Sequence, residues 1–290
     1  MAPETRSMSK HMKHGKKIVW LPFLIAIVLL PIAFYFVGRW IETKNAPPEA
    51  RGDYRQRMLY STHYEIDGKS YWQRKSLNII LLIGVDEEPT EDISGGEASF
   101  LRLVVVDHIA GRVVQIDIDP ETVAPVTRRM ADGSTEKAEL PIALAHCEGD
   151  SDAERCKNTA EAVSKLLMDV RIDRYASLTA EGFSRLRELV GGEAAECADM
   201  ASTADAVLGE LSGMSVKEVN AMFDALKPYI CVSVTRQELM SEAVMAKDYE
   251  RSEPVSLPTV TETAENGENR RVPDRDKMVT ILFDTVFELI

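Results

Sequence analysis

The stretch Asn78-Ile-Ile-Leu-Leu-Ile-Gly84-Val-Asp86 decides the fold class, together with two runs that follow it, Leu101-Arg-Leu-Val-Val-Val-Asp107 and Arg112-Val-Val-Gln-Ile-Asp-Ile118. The first run is apolar without polar alternation, the pattern of a strand buried on both faces. Asp107-His-Ile-Ala-Gly-Arg112 is short and contains glycine, which predicts a hairpin between the second and third runs. Helical patterns follow. A central strand, a hairpin and then helices imply an α/β domain whose mixed central sheet is sandwiched by helices. In an open α/β sheet, ligands gather beyond the carboxyl ends of the strands, so Asp86 is a candidate site residue by position. An aspartate there also serves as an ordinary turn residue. The two readings stand side by side.

Upstream of this domain the composition changes. Residues 18–38 form an uncharged run of 21 residues, about 31 Å long as a helix and matched to a bilayer core. The run exceeds a signal-peptide core and leads into Gly38-Arg39-Trp40-Ile41 without a small-residue cleavage site, so an uncleaved signal anchor is expected. Trp20, Tyr35 and Trp40 lie near its ends, where interface aromatics belong. Residues 1–17 carry five basic residues against Glu4, a net +4; with −13 for the whole chain, −17 is left for the remainder. A basic tail stays in the cytoplasm, which puts the acidic bulk of the chain outside the cell membrane. The expected organisation is a cytoplasmic tail (1–17), the span (18–38), a stalk and edge segment (39–73), and the α/β domain (74–290).

That charge excludes a nucleic-acid partner for the outer domain, and seventeen residues are too few for a DNA-binding module. No hydrolase triad is visible, since none of the five histidines has a Ser or Cys nucleophile setting. Four cysteines, Cys147, Cys156, Cys197 and Cys231, allow three pairings in an oxidising compartment. The polar loop between Cys147 and Cys156 suggests a local bridge there, with Cys197–Cys231 following by elimination. Free thiols are the alternative.

Within the domain, Pro125 to Glu136 reads as a polar loop bearing the pair Arg128-Arg129, and Leu140 to His146 as a short helix. Asn158 to Val170 has an apolar face at Ala160, Val163, Leu166, Leu167 and Val170. Arg174 to Leu178 is a short strand. Thr179 is the expected N-cap of a helix through Val190, stopped by Gly191-Gly192. Ser215-x-x-Glu218 is a capping-box pattern. Thr261 to Arg271 reads as a turn-rich loop, and Asp274 to Leu289 as a closing helix.

The order of these pieces resembles the LytR–CpsA–Psr family of cell-envelope proteins. The resemblance is carried by Asn78–Asp86, by the hairpin Val104-Val-Val-Asp107 with Val113-Val-Gln-Ile116, and by Leu140-Pro-Ile-Ala-Leu-Ala-His146. Most specific is Ile172-Asp-Arg-Tyr-Ala-Ser-Leu-Thr-Ala-Glu-Gly-Phe-Ser-Arg-Leu-Arg-Glu-Leu-Val-Gly-Gly192. The resemblance implies a membrane-anchored phosphotransferase that moves glycopolymers from a polyprenyl pyrophosphate carrier to peptidoglycan. Such a site needs arginines on the pyrophosphate, a carboxylate holding Mg²⁺ and a greasy slot for the polyprenyl tail.

The sequence departs from the family where that chemistry sits. Glu88 stands where the family has an arginine, Glu97-Ala98-Ser99 where it has Arg-x-Asp, and Asp119-Pro120-Glu121 where it has Pro-Arg-Asp. The arginine-rich segment after the Gly-Gly stop is missing. Asp86 stays in place as the candidate catalytic and metal-binding carboxylate, with Glu121 as a stand-in carboxylate. Arg128, Arg129 and Arg102 are the cations left to bind phosphate. Blander readings apply to each: Arg102 snorkels to solvent, and Arg128-Arg129 is a solvated loop pair. A pyrophosphate facing Glu88 and Glu97 meets like charge costing about 1–4 kcal/mol per pair. The leading expectation is a degenerate transferase site in a binding, scaffolding or regulatory envelope protein, with glycopolymer, peptidoglycan or envelope enzymes as partners. An active Mg²⁺-dependent transferase is the second reading.

Overall fold

The computed structural model describes residues 60–66, 68–74, 76–86, 96–130, 132–211, 214–246, 248–264 and 267–289. The expected tail, span and most of the stalk, together with Glu88 and its acidic neighbours, lie outside the described residues. Among the described residues no helix is long and apolar enough to cross a membrane.

The chain opens with β1 (Tyr60–Ile66) and β2 (Lys69–Arg74), an antiparallel hairpin. Then come β3 (Leu77–Val85), β4 (Ala98–Asp107) and β5 (Arg112–Ile118), and a second hairpin of β6 (Val123–Arg129) and β7 (Thr135–Pro141). A 3-10 helix, Ile142–Cys147, leads into α1 (Asp152–Leu166), β8 (Arg174–Thr179) and α2 (Ala180–Val190). A short 3-10 turn, Gly192–Glu196, precedes α3 (Met200–Leu211) and α4 (Val216–Leu226); another, Lys227–Tyr229, leads into β9 (Ile230–Val232). The chain closes with α5 (Arg236–Met245), β10 (Glu250–Arg251), β11 (Val255–Ser256), β12 (Thr259–Thr263), β13 (Asn269–Pro273), α6 (Arg275–Thr285) and β14 (Phe287–Leu289).

The central sheet has the order β10-β5-β4-β3-β8-β9, with β11 also on β5. β4 is antiparallel to both its neighbours, β8 is parallel to β3, and β9 is antiparallel to β8. The mixed sheet expected from the apolar runs is therefore present. β3 is its middle because both of its faces are apolar. Leu77, Ile79, Leu81 and Ile83 are buried on one face with Leu101, Leu103, Ile116 and Ile118. That face packs against Ala162, Val163 and Leu166 of α1 and Met278 and Leu282 of α6. On the other face Leu82 and Phe100 meet Phe183 of α2 and Met200, Ala201 and Ala204 of α3. Ile80, Val104 and Val106 meet Ala246 and Tyr249 beyond α5. Each fully buried Leu or Ile contributes about 1.5–3 kcal/mol, so this strand is the main source of cohesion.

Local chemistry sets several boundaries as the sequence predicts. Thr179 caps α2 by accepting from the Gly182 N–H, and Gly191 ends it at φ +69°, a conformation that favours glycine. Ser215 and Glu218 form the expected capping box of α4.

Other boundaries differ. α1 starts at Asp152, capped by Ser151, and ends at Leu166; its buried stripe is Cys156, Thr159, Ala162, Val163 and Leu166. Met168 and Asp169 have positive φ, so the chain leaves the helix before Val170. Pro125 to Glu136 is not a loop but the core of the β6–β7 hairpin. Ala124 and Val126 are buried between half-buried Val123, Pro125 and Thr127, a two-residue alternation that proline obscures. Thr261 to Arg271 is likewise a hairpin, β12–β13, with Gly267 at φ +87° in its turn. The closing helix stops at Thr285, and β14 pairs with β2 because Phe287 packs edge-on against Tyr64 and Phe283.

Candidate functional site

The carboxyl ends of the parallel strands β3 and β8 open into a cavity of about 350 Å³. Its floor is Val85, Gly96, Ser177 and Thr179. One wall is the start of α1, with Asp152 and Arg155, beside His146 from the 3-10 helix. The opposite wall is Pro228, Tyr229, Ile230 and Cys231, where α4 turns into β9. Ligands of open α/β sheets occupy this position.

Three anchors build the site. The Asp86 N–H donates to the Glu97 carbonyl at 3.0 Å, which ties the end of β3 to the start of β4. Gly96 fits there because it has no side chain; a Cβ on it falls 1.5 Å from the Asp86 carbonyl oxygen. The Gly96 carbonyl in turn accepts from His146 Nδ1 at 2.9 Å. A carbonyl only accepts, so the ring proton sits on Nδ1 and the Nε2 lone pair faces Cys156 Sγ at 3.7 Å. Burial lowers the His146 pKa, with the Gly96 bond opposing and the Arg155 charge assisting, so the ring is neutral near pH 7.

Arg155 is the one guanidinium lining this cavity among the described residues. It pairs with Asp152 in the same turn of helix and donates from Nη1 to the Gly149 carbonyl at 3.4 Å. Its charge is thus largely spent within the wall. Cys231 is the one thiol lining this cavity among the described residues, and burial raises its pKa. Burial pushes the Cys156 thiol up to about 12, and burial with Glu97 and Glu148 pushes Cys147 up to about 11.

The residues singled out from the sequence do not converge here. Asp86 is exposed, one residue beyond Val85 of the cavity floor. Glu121 lines a separate cavity of about 600 Å³ between the β6–β7 and β12–β13 hairpins, with Arg270 and Arg271. Arg128 lies opposite Glu136 in the β6–β7 hairpin. Arg129 is bound to Asp150 at 2.6 Å, and its own N–H donates to Glu148 at 2.8 Å.

Arg102 does not snorkel to solvent. It is 1 % exposed, held by Asp117 across the strand pair at 2.5 Å, by Asp205 of α3 and by Gln115 at 3.2 Å. Its guanidinium lies 5.2 Å from the centre of the Phe100 ring. Burial opposes its charge, but the hydrogen bonds it donates to Asp117 and Asp205 outweigh that and raise its pKa. The sequence misleads at this position because α3 covers the face of β4 that Arg102 occupies.

The Cys147–Cys156 bridge is not formed. None of the four cysteines is in a disulfide, and Cys156 is buried in the core. Its thiol donates to Ser177 Oγ at 3.2 Å, and Ser177 pairs across the strands with Cys231. Among the described residues no three carboxylate, imidazole or thiol groups gather as a metal cage. Asp86 and Glu121, the carboxylates singled out from the sequence, do not share a cavity.

No protein-family model and no curated protein matches the sequence. Solved structures do. Bacillus subtilis TagV superposes with a TM-score of 0.56 at 16% identity, over 73% of this chain and 98% of that one. Protein gbs0355 from Streptococcus agalactiae gives 0.56 at 14%, over 72% and 86%. TagT bound to LI-WTA gives 0.51 at 11%, over 73% and 91%. At such identities the likeness is one of fold, and the fold of this chain is the one expected from the resemblance, that of the LytR–CpsA–Psr proteins.

Proposed function

We propose that the protein is an extracytoplasmic envelope protein, anchored by residues 18–38, that uses a LytR–CpsA–Psr fold to bind or scaffold rather than to transfer glycopolymer. One observation carries this reading: among the described residues the cavity beyond β3 and β8 offers a single guanidinium, and Asp152 is already paired with it. A pyrophosphate group needs several charge-assisted donors in convergent positions. The other sequence candidates are committed elsewhere, Arg102 to Asp117 and Asp205 and Arg129 to Asp150. The solved TagT complex with LI-WTA makes a related cell-wall glycopolymer the first ligand to try.

The second reading, a working Mg²⁺-dependent transferase, draws support from Asp86 at the strand end and Arg155 in the cavity. Calorimetric titration of the full-length chain with a polyprenyl pyrophosphate in Mg²⁺ separates the two. The expected outcome is no saturable binding, with wild type and Asp86→Ala alike. Micromolar, Mg²⁺-dependent binding that Asp86→Ala abolishes would overturn the scaffold reading.

A further inference from the structure

The two walls of the cavity are brought together at their base by a pair of thiols. Cys156 projects inward from the second turn of α1, one residue after Arg155. Cys231 lies on β9, where it pairs across the strands with Ser177 of β8. Ser177 sits between them: it accepts from the Cys156 thiol at 3.2 Å and donates to the Cys231 carbonyl at 3.5 Å. Paired residues of adjacent antiparallel strands project to the same face, so Cys231 shares with Ser177 the face on which Cys156 meets Ser177. Cys147 and Cys197 stand apart from this pair. Cys147 is at the end of the 3-10 helix, and Cys197 donates to the Glu193 carbonyl at 3.5 Å.

We infer that Cys156 and Cys231 are a disulfide-forming pair, oxidised by thiol–disulfide exchange, whose bond staples α1 to β9 and fixes the width of the cavity. The positions of the two sulfurs set the order of events. Cys231 lines the cavity and is half-buried, whereas Cys156 is 0 % exposed, so an incoming oxidant meets Cys231 first. The Cys231 thiolate attacks one sulfur of a small disulfide; a Cys231–S–S–R bond forms, and the S–S bond of the oxidant breaks to release RS⁻. Cys156 then attacks the Cys231 sulfur, the second RS⁻ leaves, and the Cys156–Cys231 bond is closed. In total, two thiols are oxidised and one disulfide is reduced to two thiols.

The second step needs the Cys156 proton removed, which its burial resists. His146 is placed for that. Its Nδ1 proton is held by the Gly96 carbonyl, and its unprotonated Nε2 lies 3.7 Å from Cys156 Sγ. When the Cys156 S–H turns from Ser177 Oγ to Nε2, His146 takes the proton as the resolving thiol attacks. The bond closes a loop of roughly 75 residues, long enough for the constraint on the unfolded chain to be large. The inference requires an oxidising compartment but is independent of what the cavity binds.

The test uses the full-length chain, purified reduced, exposed to oxidised glutathione, alkylated, and peptide-mapped without reduction. The expected result is a linked Cys156–Cys231 peptide pair, with Cys147 and Cys197 alkylated. Tm should rise by roughly 5–15 °C over the reduced protein. In Cys156→Ser the intermediate cannot resolve, so glutathione is retained on Cys231; in Cys231→Ser, Cys156 stays unmodified. A Cys147–Cys156 or Cys197–Cys231 link, or alkylation of Cys156 in the oxidised wild type, would overturn the inference. So would glutathione on Cys156 in the folded Cys231→Ser protein.

Discussion

Two arginines in this molecule show how differently a fold can use the same charge. Arg102 lies on the face of the sheet under α3, fully buried, and is shared between Asp117 and Asp205. Arg155 lies at the end of the sheet, lines an open cavity, and is paired with Asp152 of its own helix and the Gly149 carbonyl. The first ties a helix to a strand and is out of reach of any ligand. The second keeps one side toward solvent. A buried charge is tolerated only when partners surround it, so whatever Arg102 offers electrostatically is consumed by the protein itself. The lesson is that counting arginines near a site says little until their carboxylate partners are known.

Removing Arg102 should have the largest effect of the changes considered. Arg102→Ala leaves a buried gap beside the partly exposed Asp117 and Asp205, and an unfolding midpoint in urea should report a loss of about 1–3 kcal/mol. A change within error would mean that the pair is not the tie between α3 and the sheet. The strand-end region should instead reveal itself through pH. Because burial lowers the His146 pKa from 6.5, the unfolded chain binds that proton more tightly than the folded one. Stability from this group is therefore complete above about pH 6.5 and is lost as pH falls below it. His146→Gln should flatten the thermal-unfolding profile between about pH 6.5 and 5 relative to wild type, above the range where carboxylates titrate. An unchanged profile would show that the ring is not held neutral. The smallest effect is expected at Arg129, an exposed residue paired with exposed Asp150. Arg129→Ala should leave the urea midpoint unmoved, as surface pairs commonly do; a clear shift would place it closer in kind to Arg102.

Much of the fold was legible because it rests on local patterns. The unbroken apolar run at 78–85 could only be a strand covered on both sides. Thr179, Gly191, Ser215 and Glu218 mark helix ends through chemistry that spans three or four residues. The β6–β7 hairpin was missed because Pro125 and the arginine pair mask its alternation, and β14 because its pairing partner lies more than 200 residues away. The cavity was least legible of all. Its walls come from residues 146–155 and 228–231 and its floor from 85, 96, 177 and 179, and no spacing rule links them.

The sequence by itself determined the mixed α/β architecture, the acidic charge of the chain beyond residue 38, the uncharged run at 18–38 and the placement of Asp86 at the end of the central strand. These follow from composition and from periodicities that act within a few residues. Only the tertiary structure decided which cysteine meets which, where Arg102 spends its charge, and that Arg155 and His146 border the cavity. Such pairings are fixed when helices dock on the two faces of the sheet, because docking sets distances between side chains that the chain order leaves free.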